Sequence, residues 1–302
     1  MPSSPQPLVV GIGEVLWDMF PDGARFGGAP ANFACSVAGL ASESVRISVV
    51  SAVGRDDLGR RALRALKERG VDPSCVTQCD APTGQVVVQL DDSGHPSYEI
   101  SADAAWDHLV WSEDLLQHAR CADVVCYGTL GQRSAGAQSV VEQFVRSMRP
   151  GSLRVLDVNL RPPFWTDSLV LDSLRWADIL KCNETELPVI ASLLQFTGSD
   201  TSILRQLVDR YSLRLAALTR GANGSLLVNG EGMVSEMAGT PVAVVDTVGA
   251  GDAFAATLAV AMCRGLPIEV MHAWASRVAA YVCSQPGATP AIPLKLQGDL
   301  PL

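Results

Sequence analysis

The stretch richest in chemistry is Asp246-Thr247-Val248-Gly249-Ala250-Gly251-Asp252-Ala253-Phe254. A β-branched run ends there in a Gly-Ala-Gly turn, and an apolar helix follows at once. That order places the amides of Gly249, Ala250 and Gly251 at a helix N-terminus, unpaired and ready to take an anion. Glycine lets the backbone come close to phosphate oxygens. Asp252, in the first helical turn, stands beside such an anion, where a carboxylate can take a proton from an attacking hydroxyl. By residue type alone, the same stretch also suits an ordinary helix start with an acidic first turn.

Two other phosphate signatures are absent. No Lys follows Gly251, so there is no G-x-x-x-x-G-K-[ST] loop, and Gly11-Ile12-Gly13 lacks the third glycine of the dinucleotide fingerprint, with Glu14 in the turn. A Rossmann dehydrogenase is poorly supported.

The elements that must position these residues alternate. Leu8–Gly13, Val45–Val53, Asp123–Tyr127, Leu153–Asp157, Ile179–Cys182 and Leu215–Thr219 read as strands. Pro30–Leu40, Asp57–Arg69, Ala135–Met148, Glu184–Leu194 and Ser202–Tyr211 read as helices between them. This pattern predicts an α/β fold with a mostly parallel sheet covered on both faces. Val15–Phe26 is turn-rich, and Gln85–Leu90 with Ser97–Ser101 forms a hairpin pattern around Asp91-Asp92-Ser93-Gly94. These stretches predict a small inserted β-lid. The C-terminal third predicts strands at Leu226–Val228, Val234–Met237 and Val242–Val245, then helices Gly251–Arg264 and Ile268–Ser284.

The 302 residues carry a net charge of −9, with 48% hydrophobic and 18% charged residues. That balance fits a globular enzyme and argues against nucleic-acid or acidic-membrane partners. Ala253–Cys263 is too short to span a bilayer. Met1–Pro7 has no basic region leading into an apolar one, so a cytoplasmic protein is expected. Most of the eight cysteines sit in apolar segments, as Cys126 and Cys283 do, which predicts reduced thiols rather than a disulfide or zinc framework.

Asp246–Phe254 resembles the C-terminal signature of the PfkB, or ribokinase-like, carbohydrate kinases. Gly27-Gly28-Ala29-Pro30-Ala31-Asn32-Phe33-Ala34 resembles the N-terminal one. The resemblance covers the chain and implies one kinase domain over 1–302, a three-layer α/β/α fold, and lid segments near 15–27 and 84–102. It implies Asp252 as general base, with Gly249, Ala250, Gly251 and Arg161 (of Asp157-Val158-Asn159-Leu160-Arg161) stabilising the transferring phosphoryl. Asp157 and Asn159 are second choices in that segment. It implies Asp18, Gly28, Asn32, Arg161 and Asp252 at the sugar. Tyr98 and Trp106 are candidates to face it, although an aromatic on a lid strand more often packs than recognises.

On the nucleotide side the resemblance points to Asn183, Thr219, Gly221, Gly224, Val248, Gly249, Gly251, Ala280 and Cys283. Asn183 and Glu186 would hold the Mg²⁺ of Mg-ATP through water, and they also read as a helix-capping pair. Asp246, Thr247 and Gly287 mark a monovalent-cation (K⁺) site. A lid-mediated homodimer also follows from the resemblance.

Gly13-Glu14-Val15-Leu16-Trp17-Asp18 and Ala105-Trp106-Asp107 are most similar to fructokinases. Gln85 to Leu115 contains no Lys or Arg and seven acidic residues, which disfavours anionic sugars unless Arg25 points inward. D-fructose, phosphorylated on its 6-hydroxyl, is the expected substrate. Alternatives are 2-keto-3-deoxygluconate, another sugar or a nucleoside, or a non-catalytic sugar-binding regulator on the same fold.

Overall fold

The computed structural model describes residues 6–90 and 96–297 and, of residues 88–90 and 96–98, the backbone alone. The chain opens with β1 (Leu8–Ile12), β2 (Leu16–Phe20), β3 (Gly23–Gly27), α1 (Ala29–Ala41), β4 (Arg46–Gly54), α2 (Asp57–Glu68) and β5 (Val76–Cys79). It continues through β6 (Gly84–Leu90), β7 (Pro96–Ile100), α3 (Glu113–Cys121), β8 (Val124–Tyr127), α4 (Ala135–Ser147), β9 (Leu153–Asp157) and α5 (Asp167–Trp176). It then runs through β10 (Ile179–Asn183), α6 (Glu186–Leu194), α7 (Asp200–Tyr211) and β11 (Leu215–Thr219). The last elements are β12 (Ser225–Asn229), β13 (Val234–Met237), α8 (Ala250–Cys263) and α9 (Ile268–Cys283).

Among these residues, nine strands form one sheet in the order β13-β12-β11-β10-β9-β8-β1-β4-β5. Every pair from β5 to β11 is parallel, and β11-β12-β13 is antiparallel. The apolar strand runs alternate between two helical layers. Val9, Val49 and Val124 face the side that packs with α1 and α8. Val10, Val50 and Val125 face the side that packs with α4 and α7. Both faces are thus covered, as a parallel sheet demands. Side-chain caps fix several helix starts: Asp56 accepts from Gly59 N, Ser112 from Leu115 N, Ser134 from Ala137 N and Thr166 from Leu169 N. α8 is buried from Ala253 to Ala261, which explains why its sequence is apolar all round. Among the described residues, no helix is long and apolar enough to cross a membrane.

A second sheet, β3-β2-β6-β7, combines the two stretches that broke the αβ rhythm. Trp106 anchors its base. The indole is fully buried, and a Cβ on Gly84 would overlap its ring, so only glycine lets β6 pass there. Arg133 lies over the Trp106 ring at 4.6 Å and pairs with Asp107 at 2.6 Å, both side chains almost wholly buried. Trp106 is therefore a packing residue, not one facing a ligand. The Asp91-Asp92-Ser93-Gly94 turn and the Tyr98 side chain lie outside the described residues.

One expected strand does not form. Val242–Val245 is irregular, with Val244 63% and Val245 61% exposed. Gly239 is pressed against Ala222, where a Cβ would meet the Ala222 carbonyl, and Pro241 has no N–H to donate to a ladder. The amides of Val245 and Asp246 instead donate to the Cys283 carbonyl at the end of α9, at 2.9 and 3.2 Å.

Candidate functional site

Strand β1 is the switch point of the large sheet: β4 and β5 extend to one side, β8 through β11 to the other. Ligand crevices in open α/β sheets form outside the carboxyl ends of the strands at that point. Glu14 follows β1, Gly131 follows β8, and Asn159 and Arg161 follow β9, so the sequence brings polar groups to that rim.

Asp252 lies in the first turn of α8. Its Oδ2 accepts from Asn32 Nδ2 at 2.8 Å, joining α8 to the first turn of α1. Burial, with the nearby Asp157 charge, pushes its carboxyl up to about 6, against the pull of Lys181, the Asn32 bond and Arg161. The amides of Gly251 and Asp252 have no acceptor behind them in the helix. Ala250 differs from expectation, because its amide turns back onto the Thr247 carbonyl at 3.4 Å and is not unpaired. Gly249 holds φ at +80°, and a Cβ there would stand 2.2 Å from the Ala288 carbonyl. Glycine is thus required on two counts.

Directly beneath this turn lies a buried ion pair that motif reading did not single out. Lys181 Nζ donates to Asp157 Oδ1 and Oδ2 at 2.9 and 3.1 Å, between neighbouring positions of β10 and β9. A Cβ on Gly251 would come within 2.7 Å of that ammonium. Burial works against the lysine's charge, but Asp157, Glu186 and Asp252 together outweigh it and hold the pKa above its ordinary value. The available signal was a lone lysine inside the apolar run Ile179-Leu180-Lys181-Cys182, since a buried charge needs a partner.

At the end of the rim next to the small sheet, Asp18 of β2 is the register partner of Arg25 of β3. Burial and the Asp246 charge push the Asp18 carboxyl up to about 6, opposed by Arg161 and Arg25. Gly28 sits at φ +108°, where a Cβ would stand 2.4 Å from the Glu14 carbonyl. Asn32 Oδ1 is buried with no partner among the described residues. Arg161 is exposed, donates to its neighbour Leu160 O, and projects its charge onto Glu14, Asp18 and Asp252. Asn159 adopts a left-handed φ of 51°, a conformation asparagine tolerates, while Thr129 Oγ1 ties the Val158 and Asn159 carbonyls.

Farther along the rim, Asn183 Oδ1 accepts from Thr185 N, Thr185 Oγ1 and Glu186 N, and Glu186 Oε2 accepts from Asn183 N. Glu186 Oε1 takes the Leu160 amide, so this pair also steadies the Arg161 loop. These oxygens are already engaged and fit a divalent ion through water rather than by direct ligation. Thr219 ends β11, Gly221 and Gly224 flank the short turn after it, and Gly224 closes against the Met237 carbonyl. Cys283 meets the Val245–Asp246 backbone as described, and Ala280 lies one turn before it on α9. Asp246 gathers Val248 N and Gly287 N on its two oxygens, at 3.0 and 3.1 Å, with Arg25 Nη1 3.6 Å away. Thr247, the next residue, binds the Ala250 amide through its carbonyl.

The large sheet with its four-stranded companion defines a ribokinase-like fold, and solved sugar kinases share it. An uncharacterized sugar kinase from Pyrococcus horikoshii superposes with a TM-score of 0.80 at 27% identity, over 95% of this chain and 94% of that one. A fructokinase from Vibrio cholerae O395, with fructose, ADP and calcium ion bound, has the same fold, with a TM-score of 0.79 at 24% identity over 95% and 96% of the two chains. The profile of the pfkB family carbohydrate kinases matches residues 22–295. A fructokinase from Salmonella typhimurium is 31% identical over 301 residues, covering 93% of this chain and 95% of that protein. The chain belongs to the pfkB family, and it is a sugar kinase.

Proposed function

We propose that this sugar kinase transfers the γ-phosphoryl group of ATP to the 6-hydroxyl of D-fructose, with Asp252 as general base. The observation that carries this reading is the Asp252 carboxylate, aimed by Asn32 at the N-terminus of α8, where unpaired amides can receive phosphate. An ionised Asp252 takes the proton of the 6-hydroxyl as its oxygen attacks phosphorus in line. The Gly249 and Gly251 turn, with Arg161, faces the charge that spreads over the transferring oxygens. Asp18, Gly28 and Asn32 orient the sugar, and the small sheet acts as a lid that excludes water. Asn183 and Glu186 are the residues that would hold magnesium through water, where it would neutralise charge on the phosphates. Thr219, Gly221, Gly224, Val248, Ala280 and Cys283 border the nucleotide.

A neutral sugar fits the charges. Arg25, the cation that could have favoured an anionic substrate, pairs with Asp22 at 2.9 Å and lies near Asp246, so acidic groups offset it. The name of the Salmonella relative and the fructose bound in the Vibrio structure support the same choice. Asp246, Thr247 and Gly287 mark a potassium site in this reading. The edge strands β3 and β7 carry unpaired backbone groups that suit a lid-mediated homodimer. The cytoplasm, with ATP and reduced thiols, is the matching compartment.

The test is ADP release with Mg-ATP across fructose, ribose, 2-keto-3-deoxygluconate, tagatose 6-phosphate and adenosine, alongside Asp252→Asn. Turnover on fructose that disappears in the variant supports both substrate and base. Preference for an anionic sugar refutes the substrate assignment. Sugar binding without turnover on any member favours the regulator reading.

A further inference from the structure

Glu14 leaves the end of β1 and is 2% exposed. Its Oε1 accepts the amide of Ala29, the first residue of α1, at 3.0 Å. That same helix presents Asn32 to Asp252 at 2.8 Å. Its other oxygen, Oε2, is buried and meets no donor among the described residues. Gly131 walls it in: a Cβ at that position would stand 3.0 Å from Oε2 and 2.7 Å from the Gly13 Cα.

The charged and titratable groups facing Glu14 come from three elements: Asp252 of α8, Arg161 of the loop after β9, and the Cys126 thiol of β8. A bare carboxylate oxygen enclosed without a donor is far more costly than a neutral carboxyl. Burial, reinforced by the charge on Asp252, pushes the group up to about 7, while the Glu14 and Ala29 amides and Arg161 pull the other way. The geometry and the charges agree on a window, between about pH 6 and 7, in which Asp252 is ionised while Glu14 keeps its proton.

We propose that Glu14 is a positioning residue for the base. Its Oε1 fixes the start of α1 so that Asn32 aims Asp252, and its protonated Oε2 keeps a second negative charge out of the phosphoryl-transfer site. This role rests on the reading of Asp252 as base. When Glu14 ionises, the added negative charge opposes the phosphoryl group and the rate falls.

The experiment compares pH profiles of kcat and kcat/KM, from about pH 5.5 to 9, for wild type, Glu14→Gln and Glu14→Leu. Wild type should rise through about pH 6 as Asp252 ionises and fall again above about pH 7 as Glu14 does. Glu14→Gln keeps an acceptor for Ala29 N but cannot ionise, so the alkaline fall should disappear. Glu14→Leu loses the acceptor, and kcat should drop by roughly 10- to 100-fold from misaligned groups. A Gln profile superimposable on wild type overturns the proposal, as does a Leu variant with wild-type kcat. Should Glu14→Leu fail to fold, infrared spectroscopy decides: a protonated-carboxyl band that fades across pH 7 in wild type must be missing in Glu14→Gln, and its persistence there refutes the idea. Asp252→Asn separates the two readings. Turnover by that variant removes the base assignment, whereas its inactivity alongside an unaltered Glu14→Gln profile removes only the role of Glu14.

Discussion

Replacing Asp252 by Asn should all but abolish turnover and, at the same time, stabilise the fold in a pH-dependent way. Burial raises the Asp252 carboxyl from 3.8 to about 6, so the native state holds its proton to higher pH than the unfolded chain does. Stability from this group is therefore complete below about pH 4 and is lost as pH rises through 6. Ionising a carboxyl held that far above its ordinary value costs the fold on the order of 3 kcal/mol at pH 8, and about half of that at pH 5. Asparagine has the shape of the neutral acid and can still accept from Asn32 Nδ2, so it escapes the cost of ionising. The variant should gain about 3 kcal/mol at pH 8, or about 5 °C in melting temperature for a chain of this length. The gain should shrink by about half at pH 5. Urea or thermal unfolding of both proteins at the two pH values measures it, and coupled ADP release reads a rate loss of about 10²- to 10⁴-fold. A gain that does not change with pH, or a variant less stable than wild type at pH 8, refutes the argument that ionisation of this buried carboxyl strains the fold.

Lys181→Met leaves Asp157 buried without its partner and should cost about 3–5 kcal/mol in urea unfolding, with most recovered in Lys181→Met/Asp157→Asn. Gly249→Ala forces a Cβ against the Ala288 carbonyl at a φ of +80°. It should destabilise by about 1–3 kcal/mol and raise the KM for ATP, measurable in the same coupled assay. Arg25→Gln removes a cation that holds the Asp18 carboxyl down. The Asp18 pKa should then rise further, so the KM for fructose should worsen more at pH 6 than at pH 8.

The fold was legible in the sequence because its strands are short apolar runs bounded by helix starts with recognisable caps, and β1, β8, β9 and β11 lie at the predicted places. The small sheet was legible from the turn residues between β2 and β3. Val242–Val245 was misread because a β-branched run announces a strand only when a neighbour can accept its amides. Here the partner is a carbonyl at the end of α9, which no local pattern reveals. The same holds within the site. Asp252, Asn32 and Arg161 could be found from short motifs, each near the end of a strand or the start of a helix. Glu14 and Lys181 stood in view, yet their importance depends on burial and on neighbours more than a hundred residues away or on another strand. Spacing along the chain carries neither. The Ala250 amide shows the limit at atomic scale: a glycine turn predicts free donors, but which of them turns back on the loop depends on backbone angles.

The bond between Asn32 and Asp252 spans 220 residues, and α1, buried along most of its length, packs on α8. On a ribosome, α1 therefore emerges long before the helix that covers it has been translated. Until then its apolar surface stays uncovered, the condition that makes growing chains prone to aggregate. Joining the two ends is a non-local step and should come late in folding. A product of interrupted synthesis ending before Gly249 would retain Asp18, Gly28 and Asn32 while lacking the proposed base. If Asp252 is the base, such a fragment should bind sugar without turning over ATP, so the order of synthesis places recognition before chemistry.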